Sequence, residues 1–367
     1  MKSGRRLLFF FDGTGDRAVD ANRVVPTNVF KLNRALTTGF NGIPQVVHYF
    51  SGVGTRGDRV SQATAKGFDQ IVMEAFINLG SNYMDGDTIY LIGFSRGAAA
   101  ARALSTLMSR PGLVSADRLE NFPQVWKYFL NVSLGGAEHE ELFNRLTEIR
   151  FNPAPRVKFL GVFDTVPGSS WDLFRLFAKV RFENEALEDS VDNAVHIVAI
   201  DDNRNPSFSP ALWRRKSNAH QNLEQIWMPG VHADIGGSSD GTFLGNVSLL
   251  TMIDRMQHYC PELEWDLPYI DRLKENITGA SKIEITYERP GVLRKLLRKG
   301  VRRVPADAGD NISFVHPLFE SLKSKSFWIR GVRQRYEPTN FNRSLPTIPV
   351  GSDVPEVCSH VCGRILN

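Results

Sequence analysis

Cysteine is scarce in this sequence. Only Cys260, Cys358 and Cys362 occur among 367 residues. The number is odd, and no second pair of cysteines stands at the spacing that zinc sites use. This usage argues against a disulfide-stabilised secreted domain, so we expect reduced thiols and a cytoplasmic protein.

Long apolar runs are also missing. No uninterrupted stretch reaches the length that a membrane-spanning helix needs. The start, MKSGRRLLFFF, places basic residues before an apolar run, but the run is short and passes directly into Asp12 instead of a small-residue cleavage site. We expect no cleaved signal peptide. Peripheral membrane attachment, or export without a cleaved signal, are the alternatives to a purely cytoplasmic location.

The sequence has little excess charge of either sign. It contains 44 Lys and Arg against 40 Asp and Glu, a formal net charge of +4. That excess is too small to indicate a nucleic-acid partner, and none is expected. Hydrophobic residues at 42% and charged residues at 23% are typical of globular proteins, so a disordered chain is excluded.

Six apolar runs of strand length alternate with segments of helical pattern. Continuous β-rich runs separated by helices are typical of a parallel sheet that is buried on both faces. We therefore predict an α/β fold with a doubly wound, mainly parallel sheet, the architecture to which α/β-hydrolase-like folds belong. The runs are LLFFFD, VVHYFSGVG, TIYLIGFS, VKFLGVFDTV, AVHIVAID and QIWMPGVHADIGG.

The pattern becomes less regular after about residue 250. We predict a catalytic core over residues 1–255, with helical lid insertions near 116–150 and 169–190. Residues 256–367 would form a C-terminal extension packed on this core.

The most specific motif is Gly93-Phe94-Ser95-Arg96-Gly97, which follows a predicted strand and precedes a predicted helix. This is the context in which G-x-S-x-G forms a nucleophile elbow, a sharp turn that exposes the serine Oγ. Small flanking residues allow the strand and the helix to approach closely. Ser95 is therefore the predicted nucleophile.

A serine hydroxyl is a poor nucleophile unless a neighbouring base activates it. Of the eight histidines, His232 follows the last strand-like run, where α/β hydrolases carry their base. The orienting acid has two candidate positions. Asp164 follows the strand after the nucleophile strand, whereas Asp201 and Asp202 follow the next one. The later position is the more usual one, and the residue pattern leaves both open.

A serine and a histidine of this kind predict hydrolysis of an acyl ester through an acyl-enzyme. This reaction also needs hydrogen-bond donors for the developing oxyanion. One would be the backbone N–H of Arg96, the residue after the nucleophile. The second normally comes from a loop after an early central strand, which here contains Asp12, Gly13 and Thr14. We expect Gly13 and Thr14 to contribute to the oxyanion hole and Asp12 to anchor the loop.

Six blocks in this order resemble a known family. The motifs FFFDGT, TNV, LIGFSRGAAAAR, LGVFDTV, AIDDNR and WMPGVHADIGG span residues 5 to about 240, and ISFVHPLFE resembles a further element. They are similar to an uncharacterised α/β-hydrolase domain family that includes phospholipase effectors of bacterial type VI secretion systems. The resemblance implies a triad of Ser95, Asp164 and His232. Asp201, Asp202 and Arg204 then become a supporting cluster.

The predicted substrate is a lipid or another acyl ester. The segment 289–304 contains VLRKLLRKGVRRV, a basic amphipathic pattern that suits the surface of an anionic membrane. Its basic face would carry Arg302 and the four expected lipid contacts Arg294, Lys295, Arg298 and Lys299. A second apolar segment could form a lid or an acyl-chain wall through Trp171, Phe174, Phe177 and Phe182.

Two other classes of function remain to be compared. A metal-dependent phosphohydrolase would use Asp12, but Phe10 stands where its D-x-D-G-T signature requires the first aspartate. No cofactor or metal is therefore expected, with a divalent cation held by Asp12, Asp16 and Asp234 as a minor alternative. The third class is a non-catalytic binding module on a hydrolase scaffold.

Overall fold

The computed structural model describes residues 4–13, 26–37, 42–52, 65–131, 137–166, 186–204, 208–239, 242–287, 302, 311–341 and 345–366. The strands are β1 (Arg6–Phe11), β2 (Gln45–Phe50), β3 (Thr88–Phe94), β4 (Val157–Phe163), β5 (Val191–Ala199), β6 (Asn222–Met228), β7 (Glu284–Ile285), β8 (Ser313–Val315), β9 (Ser326–Ile329) and β10 (Val332–Arg335).

The α-helices of the described residues are α1 (Asn28–Arg34), α2 (Ala65–Asn82), α3 (Arg96–Ser109), α4 (Phe122–Asn131), α5 (Ala137–Ile149), α6 (His232–Ile235), α7 (Thr242–Tyr259), α8 (Leu267–Thr278), α9 (Pro317–Leu322) and α10 (Asp353–Leu366). A 3-10 helix, Ala116–Asn121, precedes α4. The insertion expected near 116–150 thus contains this turn, α4 and α5. Of the insertion expected near 169–190, only residues 186–190 are described.

Seven strands form one central sheet in the order β2-β1-β3-β4-β5-β6-β8. Every neighbouring pair in this sheet is parallel. The six predicted runs are confirmed as β1 to β6, and the predicted α/β-hydrolase-like fold is confirmed with them. The seventh strand, β8, comes from the ISFVHPLFE block of the C-terminal region.

Both faces of the sheet are covered by helices. In β1, Leu7, Phe9 and Phe11 join one buried apolar cluster, which includes α2, α3, α4 and α5. Leu8 and Phe10 join the opposite cluster, which includes α1, α7, α8, α9 and α10. Because side chains alternate along a strand, a strand between two helical layers needs apolar residues on both of its faces, and β1 is apolar from Leu7 to Phe11.

The C-terminal region is closely connected to the core. The boundary expected near residue 255 falls inside α7, and β8 extends the central sheet beside β6. A small second sheet has the order β10-β9-β7. Among the described residues, no helix has both the length and the apolar character that crossing a membrane requires.

The order of the strands reverses at β1, whose two neighbours are β2 and β3. Crevices outside the carboxyl ends of the strands at such a reversal bind ligands in open α/β sheets. At this point the start of α3 lies directly against the end of β1, since a Cβ on Gly97 would lie 2.2 Å from the carbonyl oxygen of Phe11. On the other side of the turn, a Cβ on Gly93 would lie 2.6 Å from the Cα of Ala98.

This close approach predicts the effect of adding one methyl group. We expect Gly97→Ala to lower the free energy of unfolding by about 1–3 kcal/mol or more, because the neighbouring atoms are backbone and cannot rotate away. The matched control is Gly363→Ala in α10, where a Cβ meets no atom within 4 Å and where alanine should be neutral or stabilise by up to about 1 kcal/mol. Urea denaturation of both variants measures the difference. Equal stabilities would contradict the close packing at the elbow.

Candidate active site

Ser95 occupies a strained turn between β3 and α3. Its backbone has φ 57° and ψ −122°, a region that non-glycine residues rarely adopt. Its N–H donates to the carbonyl of Phe163 at 3.1 Å, and its carbonyl accepts the N–H of Ala99 at 3.2 Å. The turn therefore holds Ser95 at the carboxyl end of the sheet and at the N-terminus of α3. This matches the nucleophile elbow that the motif predicts.

His232 is the first residue of α6, just after the end of β6. Its Nε2 lies 2.8 Å from the Oγ of Ser95. The imidazole ring packs against two aromatic rings, with centroid distances of 4.8 Å to Phe94 and 5.1 Å to Phe208. Ser95 is 8% exposed and His232 is 6% exposed, so the hydrogen bond between them is shielded from most of the solvent.

Asp164 lies on the other side of the imidazole. It follows β4, has φ 42°, and is completely buried. Its Oδ2 lies 2.6 Å from the Nδ1 of His232. Its Oδ1 accepts the backbone N–H of Ala199 at 3.0 Å. Ser95, His232 and Asp164 thus form one continuous chain of hydrogen bonds.

The alternative acids do not contact the imidazole ring through any recorded hydrogen bond in the described residues. Asp202 accepts the backbone N–H of His232 at 3.2 Å and pairs with Arg204 at 2.6 Å. Asp201 accepts the backbone N–H of Gly230 at 2.7 Å and the hydroxyl of Tyr336 at 3.0 Å. Both carboxyl groups hold the backbone that carries His232. The structure brings only Asp164, of the three, to the ring.

Arg302 is a part of the site that no local sequence pattern indicates. The amphipathic pattern of segment 289–304 predicts Arg302 on the basic, membrane-facing side, and that prediction is wrong for Arg302. Its side chain is completely buried, and its guanidinium bonds both oxygens of Asp164, at 2.6 and 2.8 Å. Nothing in the pattern distinguishes Arg302 from the neighbouring cations of that segment. Its partner lies 138 residues away along the chain.

The charge of Asp164 is maintained by these contacts. Burial by itself would raise the pKa of this carboxyl group, but the positive charge of Arg302 and the hydrogen bonds from His232 and Arg302 outweigh burial and hold its pKa well below the usual range. Asp164 is therefore a carboxylate and accepts the Nδ1 proton of His232. Nε2 is then left without a proton and faces the hydroxyl of Ser95.

The loop after β1 faces the elbow. Asp12 accepts the backbone N–H of Gly13 at 2.7 Å and the hydroxyl of Thr27 at 2.9 Å, and it is also bonded by the hydroxyl of Tyr49. These bonds suit the expected role of Asp12 as the anchor of the loop. A Cβ on Gly97 would lie 2.5 Å from the carbonyl oxygen of Asp12, so this loop touches the residue after Arg96. Thr14 lies outside the described residues.

Several other predicted residues also lie outside the described residues. They are Asp16, the proposed lipid contacts Arg294, Lys295, Arg298 and Lys299, and the proposed lid residues Trp171, Phe174, Phe177 and Phe182. Within the described part of the chain, no group of three or more His, Cys, Asp or Glu side chains is arranged to hold a metal ion. Asp234 there accepts hydrogen bonds from Val231 and Thr286.

A parallel sheet with a serine elbow after β3, a carboxylate after β4 and a histidine after β6 defines the α/β-hydrolase class. Within this class, the chain belongs to the family described as Tle1-like phospholipase effectors of the type VI secretion system. The catalytic domain of that family matches residues 5–255. The resemblance drawn from the six sequence blocks is therefore confirmed.

Other proteins show more distant similarity. "Uncharacterized protein YEL023C" of Saccharomyces cerevisiae is 26% identical over 231 residues, which are 55% of this chain and 32% of the yeast protein. A crystal structure of an uncharacterized protein from Pseudomonas aeruginosa has 17% identity and a TM-score of 0.50, and the match covers 75% of this chain and 49% of that one. The chain thus matches about a third of the yeast protein and half of the bacterial one.

A structure of the Tle1 effector bound to the VgrG spike of the type VI secretion system is 20% identical. Its TM-score is 0.39, and the match covers 65% of this chain and 52% of that chain.

The carboxyl group of Asp201 predicts a specific pH dependence of stability. Burial raises the pKa of Asp201 to about 7. In the unfolded chain this carboxyl group titrates near 4, so between about pH 4 and 7 the folded state holds a proton that the unfolded state releases. The free energy of unfolding should therefore fall as pH rises through this window. We expect Asp201→Asn to lose a smaller part of its stability between pH 5 and pH 8 than the wild type does.

Urea denaturation at the two pH values measures this difference. The exposed Asp85→Asn is the matched control and should keep the pH dependence of the wild type. If Asp201→Asn keeps it as well, Asp201 is ionised in the folded protein.

Proposed function

We propose that this chain is a serine esterase that hydrolyses the acyl esters of phospholipids, with Ser95 as nucleophile, His232 as general base and Asp164 as the triad acid. The observation that carries the proposal is the hydrogen-bond chain from Ser95 Oγ to His232 Nε2, at 2.8 Å, and from His232 Nδ1 to Asp164 Oδ2, at 2.6 Å. Membership of a phospholipase effector family supports the ester-hydrolase class.

In the first half of the reaction, Ser95 Oγ attacks the ester carbonyl while His232 Nε2 takes the hydroxyl proton. The carbonyl oxygen becomes an oxyanion, which the backbone N–H groups of Arg96 and Thr14 would stabilise. The N–H of Gly13, expected from the sequence to contribute as well, is donated to the carboxylate of Asp12 at 2.7 Å. His232 then gives its proton to the leaving alcohol oxygen as the ester bond breaks. The products of this half are the free alcohol and an acyl-enzyme on Ser95.

In the second half, a water molecule gives a proton to His232 and attacks the acyl carbonyl. The bond from Ser95 Oγ to the acyl group breaks, and His232 returns the proton to Ser95. Asp164 holds the imidazole in the tautomer that leaves Nε2 free and stabilises the imidazolium ion in both halves. Its complete burial and its 2.6 Å contact with Nδ1 suit this role.

We favour a phospholipid as the substrate, cleaved at an acyl ester in a reaction of the phospholipase A type. The aromatic rings of Phe94 and Phe208 border His232, so part of the wall around the base is apolar. Membership of a family described as type VI secretion phospholipase effectors supports a phospholipid substrate. Apart from Arg302, the basic segment 289–304 remains our candidate for contact with anionic lipid.

The nucleophile is tested by Ser95→Ala. We expect the wild type to be labelled covalently by a fluorophosphonate probe and to release fatty acid from phospholipid vesicles. The variant lacks the hydroxyl that the probe modifies, so it should not be labelled. Any release of fatty acid by the variant should exceed the uncatalysed rate by no more than about 10³–10⁴-fold. Labelling is read by mass spectrometry, and release by titration of the acid. The absence of labelling in a folded wild-type sample would contradict the serine-esterase proposal.

The acid is tested by a comparison of two aspartates. Asp164→Asn should lower kcat on the order of 10⁴-fold, because an amide favours the tautomer in which Nε2 carries the proton. Asp202→Asn should have a much smaller effect, since Asp202 bonds the backbone of His232 and not its ring. Hydrolysis of a soluble p-nitrophenyl ester gives both values. A larger loss in Asp202→Asn would reverse the assignment.

A further inference from the structure

We propose that Arg302 is a positioning residue of the Ser95–His232–Asp164 site: it compensates the buried charge of Asp164 and so sets the pH range in which His232 is free to act as a base. This inference rests on the proposed function. It also assigns a part of the active site to the chain beyond residue 255, where the match to the family's catalytic domain ends.

The guanidinium of Arg302 uses all five of its N–H donors. Nη1 donates to Asp164 Oδ1 at 2.6 Å and to the carbonyl of Ala199 at 3.1 Å. Nη2 donates to Asp164 Oδ2 at 2.8 Å and to the carbonyl of Phe208 at 2.7 Å, and Nε donates to the same carbonyl at 3.0 Å. Only a planar guanidinium can satisfy this set of acceptors, because lysine has three donors on one atom.

The backbone at residue 302 is also held in place. Its N–H donates to the carbonyl of Asp202 at 3.3 Å. Its carbonyl accepts from the side-chain amide of Asn340 at 3.0 Å, and this amide also donates to the carbonyl of Ile200 at 2.9 Å. Arg302 therefore enters the site from a fixed position beside the end of β5. Its side chain bonds Asp164 directly, with no need for a bridging water molecule.

The other charged groups near this pair have their own hydrogen-bond partners. Asp202 pairs with Arg204, Asp201 accepts from Gly230 and Tyr336, and Asp234 accepts from Val231 and Thr286. Burial raises the pKa of Asp201 to about 7 and that of Asp234 to about 6, so both carboxyl groups also titrate near neutral pH, in every variant alike. His196 accepts the N–H of Thr165, and burial lowers its pKa to about 3, so its imidazole is neutral.

Arg102, on α3, is the remaining buried cation nearby, and it packs over the ring of Trp213 at 3.8 Å. Among the described residues, Arg302 is the only Lys or Arg side chain with a recorded ion pair to Asp164.

The consequence concerns the proton affinity of the Asp164–His232 pair. With Arg302 present, the negative charge of Asp164 is already compensated, so Asp164 stabilises a protonated imidazole less strongly. Without Arg302, Asp164 is a buried carboxylate with no cation beside it. Binding a proton, on either Asp164 or His232, is then the main way to compensate its charge. The pair would then bind that proton at a higher pH. The pH below which the base is blocked should rise.

The test measures the rate of fluorophosphonate labelling from pH 5 to 9 for the wild type, Arg302→Gln and Arg302→Lys. In Arg302→Gln we expect the acid limb of the profile to move up by about one pH unit or more, since a charge at this distance shifts a titration by about 1–3 units. In Arg302→Lys the charge is kept, so the limb should stay closer to the wild type, while the plateau rate falls about 10- to 100-fold because the two-point contact is lost.

The matched control is Arg255→Gln. Arg255 is also a buried arginine, 3% exposed, and it pairs with Glu224 at 3.1 Å and donates to the carbonyl of Pro349. Its loss should lower stability and leave the acid limb unchanged. An unchanged limb in Arg302→Gln, or the same shift in Arg255→Gln, would overturn the inference.

A second measurement applies if Arg302→Gln does not fold. Asp164→Asn leaves the charge of Arg302 uncompensated beside His232, so the acid limb of its residual labelling should lie below that of the wild type. Adding Arg302→Gln to this variant removes the last charge of the buried pair and should move the limb back up. The same limb with and without Arg302 would refute the inference. Failure of the wild type to label would instead refute the proposed function.

Discussion

The arrangement of the site depends on the burial of one carboxylate. Asp164 has no exposed surface, and an isolated carboxylate in such a place is too costly to remain ionised. It is compensated from three parts of the chain: the Ala199 N–H at the end of β5, the ring of His232 after β6, and the guanidinium of Arg302. One buried charge therefore ties together the carboxyl ends of three neighbouring strands and a segment far along the chain.

The nucleophile is held by steric constraint instead of charge. Gly93 and Gly97 leave no room for side chains between β3, α3 and the end of β1, and Ser95 is held between them at φ 57°. The same contact sets the loop of Asp12 and Gly13 against the start of α3. Backbone packing thus brings the nucleophile and the proposed oxyanion loop together at the point where the order of the strands reverses.

Much of the fold was predictable because strands buried on both faces must be apolar at nearly every position. The runs that became β1 to β6 contain the apolar stretches that this rule requires, although β6 also carries Asn222, Glu224 and Gln225. The seventh strand, β8, has only three residues, too few for a pattern to identify, and it forms because β6 offers an open edge. The position of the acid was not determined by the residue pattern alone, since Asp164 and the Asp201–Asp202 pair both follow apolar strands. The resemblance to the family favoured Asp164.

Local patterns along the chain are enough to predict the class of the fold, the elbow at Ser95 and the placement of His232 after the last long strand. These features are local, because they depend on periodicity and on residue types within a few positions of each other. The contact of Asp164 with the imidazole, the bonds from Asp201 and Asp202 to the backbone around it, and the burial of Arg302 against Asp164 are visible only in the folded chain. A charge pair across 138 residues leaves no local pattern, since the energy that selects it arises only when the folded chain excludes water from both partners.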